Sequence, residues 1–108
     1  MAAIKELLEK FTQPMSNIQA DRKVVAAVGT KESLVSSPVP CKVVIITAET
    51  DNTGIMVVGG STVIATLATR KGTPLAAGDS VVLQIDNLDK VFLDTTVNGD
   101  GVTYTYLL

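Results

Sequence analysis

At 108 residues the chain has the length of one domain, and an apolar share of 46% with only 4% aromatic residues implies a core of Val, Ile, Leu and Ala. A formal charge of −2 argues against a nucleic-acid partner, because phosphate binding needs a basic surface. Histidine is absent and Cys41 is the only cysteine. That removes Ser-His-Asp and Cys-His catalysis, tetrahedral zinc sites and any internal disulfide.

The chain opens with helical spacing. Ile4, Leu7, Leu8 and Phe11 fall at i, i+3, i+4 and i+7, with Lys5, Glu6, Glu9 and Lys10 on the other side. Pro14 stops this pattern. The reading is an amphipathic helix or arm over residues 1–13, a linker over 14–20 and a β domain over 21–108. A helix of about three turns is marginal alone in water. The apolar stripe therefore needs a cover, either its own β domain or another subunit or protein. Ile4, Leu7, Leu8 and Phe11 are the candidate docking residues. The segment is too charged for the apolar core of a signal peptide, and no apolar run approaches the ~18 residues of a membrane span. The expectation is a protein made in the cytoplasm with no membrane partner.

Beyond residue 20 the texture is that of strands and turns. Arg22–Val28 is the first strand candidate, and Cys41–Ala48 the strongest, apolar enough to be buried on both faces. Asp51–Gly54 (DNTG) predicts a short hairpin into Ile55–Val58. Residues 62–73 favour extended structure, and Pro74–Ser80 is a turn. Ser80–Ile85 alternates as a strand, Asp86–Lys90 is a tight connection and Val91–Asp94 is another strand. Asn98–Gly101 (NGDG) is the clearest turn. Val102–Leu108 closes the chain, with Tyr104 and Tyr106 on one side and Thr103 and Thr105 on the other. The expected fold is mainly β: a β-sandwich or jelly-roll-like barrel of six to eight short antiparallel strands, with the short N-terminal amphipathic helix.

Chemistry is sparse. Asp86, Asp89, Asp94 and Asp100 are the carboxylates available for a glycosidase pair, but each lies near a turn, where backbone hydrogen bonding explains it. Asp94, Asn98 and Asp100 faintly follow a calcium loop without its spacing or its bidentate Glu. Tyr104 and Tyr106 are candidates for an aromatic ligand patch. Cys41 reads as a buried, inert thiol. No cofactor and no catalytic residue is expected, and the chain reads as a non-enzyme.

Residues 43–108 carry an ordered series of turn motifs: Asn52–Gly54, Val57–Ser61, Gly72–Ser80, Ile85–Val91 and Asn98–Tyr104. In this order they resemble small β-rich virion proteins of tailed bacteriophages. The resemblance covers roughly the C-terminal two thirds, and residues 1–40 carry no motif of that group. It implies a virion component, foremost a capsid decoration (cement) protein on the major capsid protein. Tail or head-fibre adaptors follow, and a receptor- or carbohydrate-binding β module is the remaining alternative. It carries over no catalytic residue. The expected assembly is a homo-oligomer, with a trimer favoured, because symmetric oligomers bury such stripes around a shared axis.

Overall fold

β-branched residues set the architecture, because they pack best on pleated surfaces. The computed structural model describes residues 17–108. In chain order the strands are β1 (Ile18–Val24), β2 (Glu32–Ser33), β3 (Val43–Ala48), β4 (Met56–Gly59), β5 (Thr73–Leu75), β6 (Ser80–Gln84), β7 (Phe92–Thr95) and β8 (Gly101–Leu107). They form two four-stranded sheets, ordered β1-β8-β3-β6 and β2-β7-β4-β5, antiparallel throughout.

The two sheets share one core. Val44, Ile46 and Ala48 of β3 and Val102 and Tyr104 of β8 cluster with Met56, Val58, Leu75 and Leu93 of the second sheet. Leu34, Leu88 and Val91, from the connections, complete it. The period of two follows directly: buried and half-buried residues alternate along β3, and Val102, Tyr104 and Tyr106 share one side of β8.

Several expectations are corrected. Neither sheet closes into a barrel; the edges β1 and β6, and β2 and β5, stay separate. β2 and β5, the edges of the second sheet, have only two and three residues. Among the described residues the only helical turns are the 3₁₀ turns Leu67–Thr69 and Leu88–Lys90. The amphipathic helix expected over residues 1–13, with Ile4, Leu7, Leu8 and Phe11, lies outside the described residues.

The first strand is Ile18–Val24 rather than Arg22–Val28, so it takes in three residues of the expected linker. β1 is held by its seven paired positions with β8 rather than by an apolar face, and six of its residues are exposed. β3 is buried on one face only. The DNTG segment does not make a hairpin, because β3 and β4 belong to different sheets. Residues 62–73 are not one extended stretch: a bridge pairs Ile64 with Lys71 around the 3₁₀ turn.

Candidate functional site

The two sheets differ in what covers their outer sides. On the second sheet, Val57 of β4 and Asp94 of β7 pair directly and so share a face. Val63 and Ala65 pack onto Val57, with Ile55 and Phe92 at the margin. Val57 is fully buried and Asp94 nearly so.

The buried Asp94 carboxylate fastens this cover. One oxygen accepts the N–H of Ala65 at 2.8 Å, and the other those of Thr95 at 2.9 Å and Gly29 at 3.2 Å. Gly72 closes the same loop at φ 122°. A Cβ there would lie 2.8 Å from both Val57 Cγ1 and the Val58 carbonyl, which explains the glycine. Asp100 holds the inter-sheet connection in the same manner, accepting from Gly54 N at 2.8 Å and Thr53 N at 3.2 Å. Asn52 adds a reciprocal pair with the Gly101 backbone, both bonds 2.9 Å.

Among the described residues, none forms such a cover on the outer face of the first sheet. Its cross-strand register gives three rows. The first is Arg22, Thr103, Thr47 and Ser80. The second is Ala20, Thr105, Ile45 and Val82. The third is Ile18, Leu107, Val43 and Gln84. Every one of these residues is half-buried or exposed. Val82 is 61% exposed and Ile18 67%. One end of the face is therefore polar and the remainder largely aliphatic.

At the polar end Arg22 grips Glu49 in a two-pronged pair, Nε to Oε2 at 2.6 Å and the second nitrogen to Oε1 at 2.8 Å. The Arg22 guanidinium holds the Glu49 carboxyl below the usual glutamate range. Thr47 and Ser80 hydroxyls meet at 2.7 Å. A shallow groove of about 410 Å³ runs here between Arg22, Thr47, Thr103 and the Glu49–Asp51 loop. Arg22 is engaged by Glu49, with Asp51 also on the lining, so the ion pair serves as a fixed rim.

The other sequence candidates are dispersed. Asn98 accepts the N–H of Val28 at 2.7 Å and Asp94 that of Gly29 at 3.2 Å, in one loop, while Asp100 accepts those of Thr53 and Gly54 in another; all three bind backbone N–H groups rather than converging as a calcium site. Among the described residues no group of three or more metal-ligating side chains forms. Asp86 pairs with Lys90 at 2.6 Å, apart from Asp94 and Asp100. Cys41 is buried and donates to the Ile85 carbonyl at 3.1 Å, and burial pushes its thiol up.

Tyr104 and Tyr106 stack with centroids 6.1 Å apart, but Tyr104 belongs to the core and only Tyr106 is half-exposed. They do not form an open aromatic platform. Burial, with Asp21 nearby, raises the Tyr104 phenol above its ordinary value.

The chain matches no family model, no curated protein and no solved structure.

Sequence reasoning missed both the uncovered sheet face and the buried carboxylate clasps. The outer face was concealed in the continuous apolar run of β3, which reads as burial on both sides. Asp94 offered one signal, an acid at the end of the apolar run Val91–Leu93.

Proposed function

We propose that this chain is a structural module of an assembled particle, a capsid decoration protein of a tailed-phage head, docked through the outer face of its first sheet. The observation behind this reading is the unequal cover of the two sheets. The second carries a cover over Val57 and Asp94, while the first, among the described residues, presents Ile18, Ala20, Val43, Ile45, Val82 and Leu107 outward. Contiguous exposed apolar surface of this kind marks interaction sites on soluble domains. The ordered turn motifs of residues 43–108 support the virion assignment.

The mechanism is passive. Loops fastened by Asp94 and Asp100 keep the body rigid, so little ordering entropy opposes docking. The aliphatic rows supply the apolar area, worth about 25 cal/mol per Å² removed from water. The Arg22–Glu49 pair and the threonines form a polar rim that fixes orientation. Repeated display on a symmetric lattice favours a homo-oligomer, and a trimer is the state we favour.

Gold-labelled antibody on purified particles from the source tests this. Label over the heads is the expected result. Label confined to tails or fibres moves the protein to the adaptor reading. Particles without label overturn the virion assignment.

A further inference from the structure

We propose that β6 pairs with the β6 of a second copy, antiparallel about a two-fold axis at Val82, and so joins the first sheets of two molecules into one. A sheet edge is an open row of backbone donors and acceptors, and proteins blunt it with charges, proline or brevity. Three of the edges among the described residues are blunted in this way. β1 carries Asp21, Arg22 and Lys23; β2 has two residues, one of them Glu32; β5 has three, with Pro74 at its centre. β6 reads Ser-Val-Val-Leu-Gln over Ser80–Gln84, with neither charge nor proline. The first charges on either side, Asp79 and Asp86, lie beyond it.

The hydrogen-bond phase shows which backbone groups stand open. At the end of β3, Glu49 N donates to Gly101 O, toward β8, and Ala48 N donates to Asp79 O, toward β6. Alternation then turns Ile46 and Val44 to β6, opposite Val81 and Leu83. The N–H and C=O groups of Ser80, Val82 and Gln84 point the other way, to an edge that no strand among the described residues occupies. The side chains are incompletely covered on both faces. Val82 is 61% exposed outward, and Val81 and Leu83 are only half-buried against the core.

The strand is complementary to itself, which selects a second copy as the occupant. Antiparallel pairing about Val82 sets it against the partner's Val82, Val81 against the partner's Leu83, and Ser80 against the partner's Gln84. Apolar meets apolar, polar meets polar, and the open backbone groups bond in both directions. Such an isologous contact closes at two copies. One short strand per chain is a small interface, so the pair is transient. The row Ala20, Thr105, Ile45 and Val82 then continues across the axis into the second molecule. On a particle, a trimer must be built on other surfaces, leaving β6 to join one trimer to the next. That consequence rests on the virion reading; the pairing itself does not.

NOE spectra of the full-length chain, mixed from differently labelled samples at about 1 mM, should show the Val81 Hα against the partner's Leu83 Hα, the close approach of a non-hydrogen-bonded pair. The Val82 amide should exchange more slowly at about 1 mM than at about 10 µM. Two double variants test the register. Ser80→Lys with Gln84→Lys sets like charges opposite each other across the axis, and Ser80→Lys with Gln84→Glu sets opposite ones. Both give up the Ser80 hydroxyl contact with Thr47, so any effect on the fold is shared. The second should self-associate about tenfold more tightly than the first in sedimentation equilibrium. Equal association of the two variants overturns the pairing. So does a Val82 amide protected equally at both concentrations, or one left unprotected with no cross-peak between copies. Gold labelling of particles is independent of these results, so the pairing and the virion assignment can fail separately.

Discussion

Asp94 stands on an apolar strand and is 2% exposed, yet both oxygens of its carboxylate are engaged, by three backbone N–H groups. Asn at this position keeps one oxygen and turns an N–H₂ toward a donor. Asp94→Asn should therefore cost about 2 kcal/mol of unfolding free energy in urea, the scale of hydrogen bonds to a charged group. Gly72→Ala combines a left-handed φ with a Cβ too close to Val57 and Val58, and should cost about 2–3 kcal/mol, read from the same denaturation curve. Glu32 and Glu49 set a pH dependence. The Ala26 N–H and Lys23 hold Glu32 below the ordinary value of 4.5, and Arg22 does the same for Glu49. A depressed carboxyl stabilises the fold above its ordinary value, and that contribution is lost as pH falls through the folded one. The urea midpoint should drop as pH is lowered from about 4.5, and less steeply in Glu32→Gln. At this scale the sequence identified the residues but not their work. Asp94 and Asp100 were legible as aspartates near turns that bind backbone, but Asp94 stands on β7, and apart from Thr95 the N–H groups the two hold lie 29 to 65 residues away.

The connection Asp86–Lys90 shows an element built from one side chain. Asn87 Oδ1 accepts from Asp89 N at 3.1 Å and from Val39 N at 2.9 Å, starting the 3₁₀ turn and anchoring a distant loop. The turn delivers Leu88 fully buried into the core. Asn87→Ala should lose about 1–2 kcal/mol, the range of a lost cap, and Leu88→Ala about 3 kcal/mol by opening a cavity; thermal unfolding of the two variants ranks them. Strands with clear alternation were legible: β6 and β8 fall within a residue of their expected bounds. β1 was not, because an edge strand exposed on both sides lacks an apolar period, and the eye moves to the Val24–Val28 run instead. DNTG illustrates a different limit. Turn residues report that the chain bends, through local backbone preferences, but not which sheet receives the next strand.

At the scale of the molecule, covering the Val57–Asp94 face of one sheet while the described residues leave the outer face of the other open separates stability from interaction. Val82 faces outward at 61% exposure, so Val82→Lys should leave the urea midpoint unchanged within about 0.5 kcal/mol while abolishing co-sedimentation with particles. A loss of both would make that face part of the fold rather than a surface. The mainly β class was legible from Val, Ile and Thr spacing, but openness against closure was not, since it depends on which strands pair across the chain. Strand order carries a further consequence, for biosynthesis. β8 follows β1 and β3 in the chain, yet lies between them and pairs with both. While β8 is still inside the ribosomal tunnel, β1 has no neighbour and β3 lacks one of its two. The first sheet must therefore assemble after elongation has passed Leu107, as a late, long-range closure of the kind that folds slowly. Until that moment the nascent β3, with Val44 and Ile46 unburied, is the segment a chaperone would meet.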